Sequence, residues 1–143
     1  MLFNLYIFNR LGACVFYEEW NRKKAAANLD DEQNLIYGML YAFKQFVLKT
    51  SPKPELEASG FHYFRTSTYK LHYFETASGF RIVLNSDAAT ADLRAELKQI
   101  YLLLVDFVVK NPLYTPNDAF ATDGLFHQNL TAYLTALPCF TST

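Results

Sequence analysis

The segment Leu2-Phe3-Asn4-Leu5-Tyr6-Ile7-Phe8 is apolar at odd and at even positions alike, which restricts the fold more than any other feature of the chain. A strand packed on one face alternates apolar with polar residues, whereas a strand covered on both faces does not. Phe3, Leu5 and Ile7 are expected on one side, with Leu2, Tyr6 and Phe8 on the other. Two further stretches behave alike. Val15 and Tyr17 oppose Cys14 and Phe16, while Phe80, Ile82 and Leu84 oppose Val83. A sheet with two apolar faces requires helices on both.

The remaining pattern supplies those helices. Asn9-Arg10-Leu11-Gly12 joins the first strand to a second over Ala13–Tyr17, and Gly12 makes positive φ cheap, which is a β-hairpin signal. After a charged connection, Asp30 or Asp31 can cap a helix running to about Thr50. Its inward stripe is Leu35, Ile36, Met39, Leu40, Phe43, Phe46 and Val47, and Pro52 and Pro54 stop it. Strands are expected over Phe61–Thr66, Tyr69–Glu75 and Phe80–Asn85, forming an antiparallel meander. A second helix begins near Ala91, directs Leu93, Leu97, Ile100, Leu104 and Val108 inward, and ends near Lys110-Asn111 before Pro112. A third spans Asp123–Leu137, with Phe126, Leu130, Tyr133, Leu134 and Leu137 on one side. The order ββαβββαα predicts an α+β sandwich: a five-stranded antiparallel sheet with one helix on one face and two on the other.

Chemistry finds little to work with. Glycine occurs only at 12, 38, 60, 79 and 124, so no phosphate-binding loop, dinucleotide fingerprint or nucleophile elbow exists. His62, His72 and His127 lack helical i,i+4 pairing. His62 and His72 could meet across neighbouring strands, but without a cysteine at ligand spacing, and structural or surface histidines are expected instead of a metal site. Glu18-Glu19 and Asp30-Asp31-Glu32 read as solvated or helix-starting acids. Cys14 and Cys139 form no metal-like spacing and are expected to be reduced thiols, as in the cytosol. No cofactor is implied. Thirteen Lys and Arg against fourteen Asp and Glu leave a net charge of −1, which gives no field for a nucleic acid. Met1 to Arg10 lacks the basic start and the cleavage site of a signal peptide, and it reads as a strand. No membrane anchor is expected from these residues.

What remains is surface. Rings make up 17% of the chain, more than a small core absorbs, and partly exposed rings suit interfaces. On the first helix, Tyr37, Tyr41 and Lys44 lie at i, i+4, i+7 beside a notch formed by Gly38 and Ala42. Glycine inside a helix costs about 1 kcal/mol relative to alanine, so close approach of another backbone is expected there, from this chain or from a partner. On the second helix, Leu102, Val105 and Val109 form a second apolar stripe, covered either by the third helix or by a partner. Trp20 precedes the one dense basic cluster, Arg22-Lys23-Lys24, which is either a solvated loop or an electrostatic contact. The candidate contact residues are thus Trp20, Arg22, Lys23, Lys24, Tyr37, Gly38, Tyr41 and Lys44.

Trp20-Asn21-Arg22-Lys23-Lys24, Ile36-Tyr37-Gly38-Met39-Leu40, Thr66-Ser67-Thr68-Tyr69-Lys70-Leu71-His72-Tyr73-Phe74-Glu75-Thr76 and Val108-Val109-Lys110-Asn111-Pro112-Leu113 together resemble the small sybindin/sedlin-type subunits of the transport protein particle, TRAPP. The resemblance spans essentially the whole chain, and its most specific stretches are 69–76 and 109–113. It implies a longin-like fold over 1–143 as a single domain, in accord with the order read from pattern. It also implies a scaffold role in the TRAPP core, beside a synbindin-type subunit and a palmitoylated subunit. Together these would form the surface that binds the Rab GTPase of ER-to-Golgi traffic and promotes GDP release, without covalent chemistry. A cytoplasmic location, peripheral at cis-Golgi and endoplasmic-reticulum membranes, follows from the resemblance. The same fold serves SNARE-regulatory domains, where a long heptad helix would be expected after the domain, and adaptor small chains, the nearer alternative, told apart by the proteins that co-purify. A small hydrolase would need a nucleophile–base pair that the residues do not offer.

Overall fold

The computed structural model describes residues 1–20, 28–50, 63–76, 79–112, 124–138 and 140. Five strands, β1 (Leu2–Phe8), β2 (Cys14–Glu19), β3 (Tyr63–Arg65), β4 (Lys70–Glu75) and β5 (Arg81–Ser86), form one sheet in the order β2-β1-β5-β4-β3. Every described pairing is antiparallel. Helix α1 (Leu29–Thr50) lies on one face, while α2 (Arg94–Leu104) and α3 (Leu125–Thr135) lie on the other. The expected α+β longin-like layering is therefore present, and β1, apolar on both sides, is an interior strand paired on one edge with β2 and on the other with β5.

Two bulges change the parity read from sequence. Asn4 pairs with Asn85 but Leu2 pairs with Ser86, so Phe3 is an extra residue and Leu2 joins Leu5 and Ile7 on the α2–α3 side. Ile7 pairs with Phe16 but Phe8 pairs with Cys14, so Val15 is extra as well. Val15 and Phe16 consequently share the α2–α3 core, and Cys14 and Tyr17 turn toward α1. Phe80, Ile82 and Leu84 against Val83 hold as expected.

Element boundaries shift for local reasons. The cap of α1 is Asn28, whose Oδ1 accepts the Asp31 N–H at 3.3 Å, and not Asp30 or Asp31, which sit in the first turn. Helix α2 starts at Arg94 and α3 at Leu125, later than expected. Beyond Leu104 the helix widens into a π turn over Val105–Val109, marked by Lys110 N–H donating to the Val105 carbonyl at 3.0 Å, five residues back. Strand β3 is three residues long, and Phe61 and His62 lie outside the described residues.

His72 is fully buried, on the side of β4 opposite Leu71 and Tyr73, with Nε2 at 2.8 Å from Ser86 Oγ. Burial, reinforced by the nearby Lys70 ammonium and opposed by Asp92, holds its imidazole down at about 4. The unfolded chain, whose imidazole keeps an ordinary value near 6.5, therefore takes up the proton first as pH falls. The stability contributed by a neutral His72 is complete above that value and declines toward the folded value, by about 3 kcal/mol in all. Melting followed from pH 7.5 to 4.5 should show this slope, and it should flatten in His72→Gln.

Candidate interaction surface

Side chains that bind a partner must first be free of their own fold, and helix α1 sorts its residues by that criterion. At 100° per residue, Ile36, Met39, Leu40 and Phe43 define an inward stripe. Leu40 is buried, Ile36 and Met39 pack around Tyr6, Leu71 and Val83, and the Phe43 ring lies 4.9 Å from that of Phe64. Leu35 and Phe46 sit roughly 90° and 70° from the centre of that stripe. The structure leaves them 74% and 63% exposed, so their expected place in the core is corrected: they mark its rim and the beginning of an outer face.

Tyr37 and Lys44 turn out to serve the fold. Arg81 on β5 donates from Nη1 to Tyr37 Oη at 2.9 Å, with its guanidinium 5.1 Å from the ring centre, and the ring also packs on Phe8. Lys44 Nζ donates to both oxygens of Glu75 on β4, at 3.2 and 3.1 Å. Glu75 also lies 3.9 Å from Arg81 Nη2 and accepts the Tyr73 hydroxyl at 3.1 Å. Burial first, and the Glu75 carboxylate second, push the Tyr73 phenol well above its usual range, so it stays a donor. This network ties the middle of α1 to one end of β4 and β5. The other end of the helix is tied where Tyr6 donates its hydroxyl to Glu32.

Outside the inward stripe and this network, α1 presents a continuous exposed face. Tyr41 is 57% exposed, and Ala42 and Gly38 are exposed beside it. A methyl built on Gly38 would meet nothing within 4 Å, so no described strand of this chain accounts for the glycine, and the exposed notch opens outward. Leu35, Gly38, Tyr41, Ala42 and Phe46 make a largely uncharged strip with Asp31 and Lys49 at its ends. The signal for Leu35 and Phe46 was present in the sequence as their angle from the stripe centre.

On the opposite face of the sandwich, Leu102 and Val109 are exposed and Val105 is half-buried, because α3 packs on the inward side of α2 and leaves this flank open. Asp106 and Lys110 pair across it at 3.5 Å. Trp20 packs edge-on against Phe140, with ring centres 5.7 Å apart, and is partly buried against the α2–α3 core. Arg22, Lys23 and Lys24 lie outside the described residues. His127 meets Glu18 at 2.8 Å, which fastens α3 to β2.

The arrangement offers no chemistry among the described residues. No group of three His, Cys, Asp or Glu side chains could hold a metal there. Burial, only partly offset by backbone hydrogen bonds, pushes the Cys14 thiol up to about 11, so it is a poor nucleophile at neutral pH. No described helix is long and apolar enough to cross a membrane.

The sequence profile of the Sybindin-like family matches residues 2–137. Trafficking protein particle complex subunit 1 of Dictyostelium discoideum is 44% identical over 143 residues, covering 99% of this chain and 100% of its own length. The Homo sapiens protein of the same name is 43% identical over 141 residues, covering 97% and 95%. Trafficking protein particle complex subunit 4 of Bos taurus is 32% identical over 100 residues, which is 70% of this chain and 44% of that protein. Among solved structures, Myxococcus xanthus MglB superimposes with a TM-score of 0.50 at 12% identity, over 68% of this chain and 76% of its own, a likeness of fold alone.

Proposed function

The chain belongs to the sybindin-like family, and we propose that it is a non-catalytic core subunit of a transport protein particle. In that particle it would help form the surface that binds the Rab GTPase of ER-to-Golgi traffic and promotes GDP release. The observation that carries this reading is identity of 44% across nearly the whole of this chain and of the Dictyostelium subunit 1. The similarity to a protein named subunit 4 adds that one particle contains two chains related to this sequence, which supports packing of one such subunit beside another. A place peripheral at Golgi and endoplasmic-reticulum membranes, reached through the assembly, follows from the same reading.

Physical chemistry supports a binding role. Exchange requires only that the assembly hold the nucleotide-free GTPase more tightly than the nucleotide-bound form, a population shift set by that difference in affinity. A scaffold with exposed apolar faces, and with no activated nucleophile among the described residues, suits this task. Of the candidate contact residues on α1, Gly38 and Tyr41, beside the exposed Leu35, are the ones turned outward for a partner. Trp20, Tyr37 and Lys44 would act by holding the shape of the domain. Arg22, Lys23 and Lys24 stay as a proposed electrostatic contact. The test is GDP release from the Rab, measured with the particle assembled from its subunits with and without this chain. Omission should return release to near the intrinsic rate. Full-rate exchange by an otherwise intact core lacking the chain would overturn the exchange role.

A further inference from the structure

The turn between β1 and β2 is built more rigidly than a simple connection requires. Asn9 is buried, and its Oδ1 accepts the N–H groups of Leu11 and Ala13, each at 3.0 Å. Its own N–H donates to the Ala13 carbonyl at 2.9 Å, and its carbonyl accepts the Gly12 N–H at 3.1 Å. Four of the five backbone donors from Asn9 to Ala13 are thereby satisfied inside the turn. Two packing contacts hold it from outside. Gly12, at φ +90°, lies against the Tyr37 ring, which would stand 2.9 Å from an added methyl. Gly79, at φ +95° in the neighbouring β4–β5 turn, lies so close to Arg10 that an added methyl would stand 2.6 Å from the Arg10 Cβ. Helix α1 and a second hairpin therefore both brace these five residues.

What this brace presents is one cation beside one large apolar side chain. Leu11 at the tip is 71% exposed, and Arg10, with its stem pinned on Gly79, makes no ion pair among the described residues. The other charges at this end, Lys44, Arg81 and Glu75, are paired with one another. We propose that the Arg10-Leu11 tip is a preformed docking knob for a sister subunit of the particle, whose receiving surface is an apolar pocket rimmed by a carboxylate. A fixed knob loses little conformational freedom on binding, arginine is among the side chains that most often carry binding energy in an interface, and the exposed leucine beside it adds apolar area to bury. One cation and one leucine hold a protein on an anionic membrane only weakly, so the charge and shape favour a protein pocket.

This inference rests on membership of the particle, and the experiment separates the two. The particle is assembled from purified subunits with wild-type chain, with Arg10→Glu, and with Arg10→Glu combined with Leu11→Ser, and a photo-cross-linking residue is placed at position 11. Both side chains are exposed, so melting temperatures of the variants should match wild type. The double variant should bind the remaining subunits at least tenfold more weakly. The cross-link should map to one sister subunit beside an Asp or Glu, and exchanging that acid for lysine should restore binding to Arg10→Glu. Undiminished binding by the double variant, or no subunit cross-link, overturns the knob. So does a finding that the substitutions abolish binding to anionic vesicles but not to subunits. If the wild-type chain itself fails to enter the particle, the proposed function falls and the knob falls with it.

Discussion

Replacing Leu35 and Tyr41 together with aspartate is expected to exclude the chain from the particle while leaving its melting temperature within about 2 °C of wild type. Both side chains are exposed and add little to the core, so their loss costs the isolated domain almost nothing. In an interface the account reverses. Burying a large apolar side chain contributes about 2 kcal/mol, and a buried unpaired carboxylate opposes association further, so a loss of a thousandfold or more in affinity follows. Tyr41→Ala should act in the same direction with a smaller effect. Size-exclusion chromatography of the mixed subunits beside thermal melting of the isolated chain reads both quantities. Co-elution of the double aspartate variant at wild-type affinity would move the partner surface away from α1.

The second large effect falls on stability. Gly12→Val should destabilise the domain by about 3 kcal/mol, lowering the melting temperature by roughly 10 °C. Two causes add: a left-handed φ of +90° that a β-branched residue resists, and a Cβ directed into the Tyr37 ring. They can be separated in a double-mutant cycle. Tyr37→Ala alone loses the Phe8 contact and the bond to Arg81, at a cost of about 2–3 kcal/mol. Combined with Gly12→Val, the steric part disappears and only the backbone part persists, so the two effects should sum to less than their separate values. Strict additivity in chemical denaturation would show that the ring does not brace the turn.

Much of this architecture could be read from residues. The layering followed from β1 because apolar side chains on both parities leave no other arrangement, and the helix order followed from stripes and prolines. Failures had a common physical origin in what is non-local. The bulges at Phe3 and Val15 exist only in relation to partner strands, so nothing within either segment announces that Leu2 changes side. Tyr37 and Lys44 look like surface residues until Arg81 and Glu75, distant in sequence, arrive beside them. The π turn likewise answers to the packing of Val108 beneath α3 and to no local signal. The candidate surface was legible in part: Gly38 and Tyr41 kept their outward positions, and Leu35 and Phe46 were hidden by a stripe drawn too wide.

The strand order also sets a timetable for a chain leaving the ribosome. β1 and β2 can pair as soon as they emerge, but the other edge of β1 belongs to β5, with Leu2 opposite Ser86. At about 5–20 residues per second, a nascent chain holds this hairpin open for roughly 3–13 s before β5 is translated. Throughout that interval Leu5 and Ile7 present an apolar face whose covering helices are still to come, and β1 keeps an unpaired edge. The interior position that covers β1 on both faces and both edges in the finished domain leaves it sticky in the unfinished one.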